Sequence, residues 1–494
     1  MSNFNLKEKP LIALILISIF TSIFSAYFTC IQGDEGFYLY AVKTIKGSQT
    51  LYEDVNYCQF PGFPVIFSVI SKVFGDNFYL LRLFSAIFGI GSFILGYLSC
   101  KYLGVSKKGL WIYALAISLN TYMIYFTTLI RPISTTAFFC SLSLYLILTE
   151  RYKTNSGVFL ILLFSWMAIW SRFTAFPILI IFHLFLIYYY RLNYKKQFLY
   201  ILLSLALGFL FFGYYLIVAP EKFIFNNLTA HVLLYEGFYK SRTGQIIGKF
   251  RHLIGLSDKF FVIVLLIILL STHFKEAFKK LLHHPKRESL LLTILAILGV
   301  FLIHLTPHRI LREHFIIIIP VSTALIIFGV DRLYPKFNRY IIGILFLLIG
   351  LQFFSIRHHI PYFARENSLE KITFQKMLDI SQKVSNYSKE GDMIITPEPE
   401  VAYYSRRDVI QGLGSGCFGC RSNMSDEIAI KYGYLNENLF LKSLDNDKVT
   451  VVSFEEGHWF FSDKFLQKLH IDFELIERVP YRDASKPYLI FIRK

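Results

Sequence analysis

Residues 10–36 read PLIALILISIFTSIFSAYFTCIQGDEG, an apolar run that ends in two adjacent carboxylates, Asp34 and Glu35, framed by glycines. In a helix, about 20 apolar residues rising about 1.5 Å each cross a hydrocarbon core of about 30 Å. The run starts after Lys7 and Lys9, and Cys30-Ile31-Gln32-Gly33-Asp34 behind it offers no small-residue cleavage site of the signal-peptide type. It is therefore expected to stay in place as a helix, with its acidic end at the far surface.

Similar blocks recur at about 78–100, 109–128, 132–149, 156–171, 174–190, 198–219, 259–273, 288–305, 315–331 and 340–356, which with the first makes eleven predicted spans. None shows the two-residue alternation of barrel strands, so each is expected to be a helix that satisfies its own backbone in lipid. At 54% hydrophobic and 17% charged, with a mean hydropathy of +0.49, the chain is too apolar for a soluble domain, where charged residues approach a quarter.

The net charge of +17 raises the question of a nucleic-acid partner, which the location of the charge answers. From residue 357 onward 19 Lys and Arg face 20 Asp and Glu, leaving 32 against 14 of the chain's 51 and 34 in the hydrophobic part. There the basic residues sit in alternate short connections, such as Lys101, Lys107 and Lys108, or Arg191, Lys195 and Lys196. Counted with the N-terminus, these segments hold 18 cationic side chains against five acids, the pattern of cytoplasmic loops. No nucleic-acid partner is expected. The N-terminus is predicted to be cytoplasmic in a plasma (inner) membrane, and an odd span count puts the C-terminus outside.

The expected organisation is a transmembrane domain over 1–356 and a soluble extracytoplasmic α/β domain over 357–494. Strand-like runs at 392–396, 448–452 and 488–492 mark the second. Between the first two spans lies an outer loop of about 45 residues, long enough to suggest function. It carries two apolar pieces, Phe37 to Lys46 and Pro64 to Phe74, both expected to lie as helices in the membrane interface.

Candidate chemistry gathers where predicted helices meet the outer surface. Asp34 and Glu35 are either a solvated helix cap or a general base, since a carboxylate held beside lipid becomes basic enough to take a hydroxyl proton. Arg131-Pro132 and Ser171-Arg172 occupy two further outer junctions, where arginine commonly snorkels to the interface. The segment 306–314 concentrates His308, Arg309, Arg312 and His314, a group suited to holding a phosphate through charge-assisted bonds.

These motifs in this order, with Gln59-Phe60-Pro61-Gly62-Phe63-Pro64 and the run from Arg312 to Pro320, resemble the GT-C superfamily of membrane glycosyltransferases. The nearest groups are the protein O-mannosyltransferases and the bacterial aminoarabinose transferases that modify lipid A. The resemblance spans residues 1 to about 330 and implies transfer of a sugar from a polyprenyl-phosphate carrier to an acceptor hydroxyl outside. It assigns the base to Asp34 with Glu35 as its neighbour, and extends to Arg131. The C-terminal region does not resemble the mannosyltransferases' sugar-binding modules, so lipid, glycan and protein acceptors all stay open.

The residues are consistent with that chemistry. Displacement at the anomeric carbon needs a base on one face and stabilisation of the departing phosphate on the other. Asp34 suits the first role, and Arg172, His308, Arg309, Arg312 and His314 the second. No cofactor is expected, and a divalent metal is not favoured because carboxylates do not cluster at these junctions. Cys417-Phe418-Gly419-Cys420 has the spacing of a local disulfide, and Cys30 with Cys58 flanks the first outer loop. The rival functions are a transporter or flippase for a polyprenyl-linked glycan and a non-catalytic envelope scaffold. A transporter would place ionisable groups near mid-bilayer, where only His183 stands out.

Overall fold

The computed structural model describes residues 8–230, 283–306, 312–333, 373–421, 424–458, 461–483 and 486–494, with isolated positions between 248 and 280. The predicted span at 340–356 lies outside the described residues, as does that at 259–273 except for Phe260 and Ile267.

The chain opens with helices α1 (Lys9–Phe28), α2 (Gly33–Lys46), α3 (Gly62–Phe74), α4 (Phe78–Tyr102), α5 (Lys107–Ser118) and α6 (Thr121–Thr128). Then come α7 (Pro132–Leu148), α8 (Asn155–Ser171), α9 (Phe176–Tyr189), α10 (Tyr194–Val218), α11 (Arg287–Ile303) and α12 (Ile319–Leu333). Polar residues punctuate the apolar runs. Ser106, Asn120 and Thr154 accept the N–H groups of Gly109, Met123 and Gly157, satisfying donors that a helix start leaves open.

Among the described residues α1, α4 and α10 are long and apolar enough to cross a membrane, and α5 with α6 meets the same test as a pair bent by 55°. The sequence predicts one continuous helix over 109–128. Asn120 breaks it, because its extended backbone caps a new helix rather than continuing the old one.

The chain forms two compact units. The helical unit comprises Met1–Tyr27, Arg82–Gly213 and Gly237–Arg357, and the loop unit comprises Phe28–Leu81, Tyr214–Glu236 and His358–Lys494. In the helical unit, Phe93, Tyr97, Tyr113, Met123, Phe126, Ala324 and Ile327 share one apolar core. Gly96 allows the helices to close up: a Cβ there would meet the Tyr113 hydroxyl at 1.9 Å, a hydroxyl that donates to the Phe93 carbonyl at 3.0 Å. Small residues have this role wherever membrane helices pack by shape rather than by hydrophobic force. On the outside, Leu205, Phe209 and Leu210 of α10 are each more than 60% exposed, a lipid-facing stripe.

The loop unit joins the segment between α1 and α4 to the C-terminal region. The latter contributes α13 (Phe374–Asn386), α14 (Pro399–Ser405), α15 (Asp426–Tyr432), α16 (Glu437–Ser443) and α17 (Asp463–Asp472). Strands β1 (Met393–Ile395), β2 (Asp408–Val409), β3 (Val449–Glu455), β4 (Phe473–Asp483) and β5 (Lys486–Arg493) form one sheet in the order β2-β1-β3-β5-β4. The three strand-like runs of the sequence are β1, β3 and β5. Strands β2, β1 and β3 are parallel, and β5 and β4 join antiparallel, with Val452 opposite Phe491.

Helix α2 departs from expectation. Every residue from Glu35 to Val42 is buried, so it is an internal helix rather than an interfacial one. It is covered by α14 and by the turn Leu413–Gly419. The Tyr40 hydroxyl accepts from the Val409 N–H at 3.3 Å, and Lys43 pairs with Asp408 at 2.9 Å. Helix α3 has Val69, Val73 and Phe74 exposed along one side while Phe63 and Phe67 are fully buried.

Candidate functional site

In the loop unit the first turn of α2 carries both candidate carboxylates. Glu35 is completely buried and accepts the backbone N–H of Gln32 at 3.1 Å through Oε2, so it closes the helix start. Asp34, one residue earlier, remains partly exposed. Beside them Phe37 stacks on Tyr57 at 4.9 Å between ring centroids and meets Phe418 edge-on at 5.9 Å. The Cys58 thiol is buried and pushed up to about 12, with the Arg421 guanidinium opposing that rise and the Asp34 carboxylate adding to it. None of the six cysteines is joined in a disulfide, so neither the Cys417–Cys420 nor the Cys30–Cys58 bridge is present.

In the helical unit three of the predicted phosphate-binding residues come together. Arg131 is held at the start of α7 in an extended backbone that the following Pro132 favours, and only 4% of it is exposed. Arg172 ends α8 and is likewise buried. Both side chains are enclosed by protein rather than extended into solvent. The Arg172 Nη2 donates to the His314 Nε2 at 2.6 Å, and Arg131 lies 3.7 Å from the Glu313 carboxylate and over the Phe126 ring.

Burial first, then the Arg172 and other nearby positive groups, push the His314 imidazole well below its usual range. His314 therefore stands as a neutral acceptor orienting Arg172 rather than as a further cation. His308, Arg309 and the side chain of Arg312 lie outside the described residues.

Two members of this cluster were not picked out from the sequence. His304 is almost fully buried, its Nδ1 bonded to the Val300 carbonyl and its ring 5.8 Å from that of His314. Its position at the last turn of an apolar run, next to the 306–314 loop, was the available signal. Glu313 is masked in the sequence by its neighbours, the more conspicuous Arg312 and His314. Among the described residues no three His, Cys, Asp or Glu side chains are arranged to hold a metal ion.

The fold, a helical membrane part with a small C-terminal sheet, is shared with solved structures. The chain is similar to ArnT from Cupriavidus metallidurans bound to undecaprenyl phosphate, with a TM-score of 0.63 at 12% identity over 97% of each chain. It is similar to the apo state of the same protein with a TM-score of 0.65, also at 12% identity and 97% coverage of both chains. No protein-family model matches the sequence. No curated protein matches it either.

Proposed function

We propose that this protein is an inverting glycosyltransferase of the outer membrane face, taking a sugar from a polyprenyl-phosphate donor and giving it to an acceptor hydroxyl. The observation that carries this reading is the likeness over 97% of both chains to ArnT, an example of which holds undecaprenyl phosphate. Asp34 acts as the general base, removing the acceptor proton as the new bond forms at the anomeric carbon. Arg131 and Arg172 receive the departing phosphate, with His314 and Glu313 setting their orientation. In keeping with the eleven spans read from the sequence, the N-terminus is cytoplasmic and the C-terminal region extracytoplasmic. The chemistry is metal-independent, so chelation leaves turnover unchanged.

Asp34→Asn tests the assignment. Transfer from an undecaprenyl-phosphate sugar should fall by at least about 100-fold, the lower end of general-base effects, while the purified protein still binds undecaprenyl phosphate. Near-wild-type turnover would remove the catalytic role. A flippase would keep moving its cargo in this variant, since translocation needs no base.

A further inference from the structure

Arg421 follows the Cys417–Cys420 turn in the loop unit and is buried, with 8% of its surface exposed. Its backbone N–H is bonded to the Leu435 carbonyl, its Nη1 donates to the Cys420 carbonyl at 2.8 Å, and its guanidinium lies 5.5 Å from the Tyr434 ring centroid. Its Nε is buried and has no acceptor, and among the described residues no carboxylate forms an ion pair with it. A buried guanidinium without a counter-charge destabilises the fold unless something anionic completes it. The nearby thiols do not supply that charge, because burial keeps Cys58 at about 12 and Cys420 well above its ordinary value.

The surroundings show where such an anion would sit. The turn that precedes Arg421 places Phe418 against Phe37, three residues beyond Asp34, and Ser415 donates to the Asn56 carbonyl at 2.6 Å. The Asn56 amide in turn donates to the Gly433 carbonyl, beside Tyr434. Cys58 also lies within electrostatic range of both Asp34 and Arg421.

We propose that Arg421 binds a substrate oxyanion, a phosphate or carboxylate oxygen, in the site headed by Asp34, which makes the C-terminal region part of the substrate-binding machinery. The inference deepens the transferase reading and rests on it for the identity of the substrate. The oxyanion comes either from the polyprenyl-phosphate donor or from an anionic group on the acceptor. In both cases the planar guanidinium offers Nε and an Nη edge to two oxygens at once.

The test uses the full-length protein in detergent with Arg421→Gln and Arg421→Lys, titrated separately with undecaprenyl phosphate and with inorganic phosphate. Arg421→Gln should bind at least one probe about 10-fold or more weakly, as expected for losing a charge-assisted bond, and Arg421→Lys should retain part of that affinity. A loss confined to undecaprenyl phosphate assigns the site to the donor, and one confined to inorganic phosphate assigns it to the acceptor. Wild-type affinity of Arg421→Gln for both probes overturns the proposal. So does failure of the wild type to bind either probe, or unfolding of both variants, which would make Arg421 a structural strut. Weaker binding in Arg421→Gln together with full transfer by Asp34→Asn would leave the anion site standing and sink the catalytic reading alone.

Discussion

The helical unit and the loop unit differ in the reach of their polar contacts. In the helical unit many buried hydroxyls turn back on their own helices: Ser99 donates to Leu95, Ser118 to Ala114, Thr136 to Pro132 and Thr293 to Ser289, each four residues back, and those that cross between helices, Tyr113 to Phe93 and Ser85 to Leu129, span 20 and 44 residues. In the loop unit the corresponding bonds join segments far apart in the chain. Lys43 reaches Asp408, Asn56 reaches Gly433, and the Tyr403 hydroxyl donates to Asp76, over separations of 365, 377 and 327 residues. Lipid offers no competing hydrogen bonds, so a helix that satisfies itself can insert before it finds its neighbours. The α2 helix lacks that independence, and its place depends on residues made more than 350 positions later. Candidate catalysis accordingly sits on the element whose position needs the whole chain.

The sharpest way to break this contrast is at Gly36. A Cβ there would lie 1.8 Å from the Glu400 Oε2 and 2.7 Å from the Glu400 backbone nitrogen, so a side-chain shift alone does not make room. Gly36→Ala should destabilise the loop unit by about 1–3 kcal/mol, the usual cost of overpacking, and lower transfer with it. Gly33→Ala, with nothing within 4 Å of its Cβ, is the control and should change thermal unfolding by less than about 0.5 kcal/mol. Equal effects of the two would show that α2 is not held by α14.

A smaller effect is expected at Asp76, which binds Lys46 of α2, Ser71 of α3 and Tyr403 of α14. Burial alone would raise its carboxyl, but bonds from Lys46, Ser71 and Tyr403 outweigh burial and hold it below its ordinary value. A carboxyl lowered by folding adds stability that is fully present above the unfolded value of about 3.9 and is lost as the pH falls through the lower folded one. Asp76→Asn should therefore cost about 1 kcal/mol near neutrality, because the group is half exposed and screened. In melting curves taken across pH, the gap from wild type should hold steady above about pH 5 and narrow in acid below about 3.9. A gap that widened in acid would contradict the assigned hydrogen bonds.

The features legible in the sequence were those that repeat locally. Apolar runs mark α1, α4 and α7 to α12 because a span is defined by length and composition. Arg131, Arg172 and His314 stand out because each ends or begins such a run, and three of the five strands, β1, β3 and β5, show through their β-branched content, while β2 and β4 do not. The kink at Asn120 was equally local and was hidden only by the apolar residues on both sides. The burial of α2 was not legible. Its pattern of Phe37, Tyr40, Ala41 and Thr44 fits lipid and protein equally well, and the residues covering it come from α14 and the 413–419 turn. Arg421 was hidden for the same reason, since an arginine after a cysteine turn reads as surface until its burial is known.

The least effect is expected inside the helical unit, where it sets the baseline for the others. Thr293 is fully buried in α11, and its Oγ1 donates to the Ser289 carbonyl at 2.7 Å. That carbonyl also receives the backbone bond of the helix, so removing the hydroxyl leaves no acceptor stranded. Thr293→Val keeps the side-chain volume and removes only the self-contained bond, and β-branching on both sides leaves the rotamer preference alike. Unfolding measured in detergent should shift by no more than about 0.6 kcal/mol, the average for polar contacts between membrane helices. A loss as large as that of Gly36→Ala would mean that the Thr293 hydroxyl serves a partner beyond its own helix, and the division between self-satisfied and chain-spanning burial would no longer separate the two units.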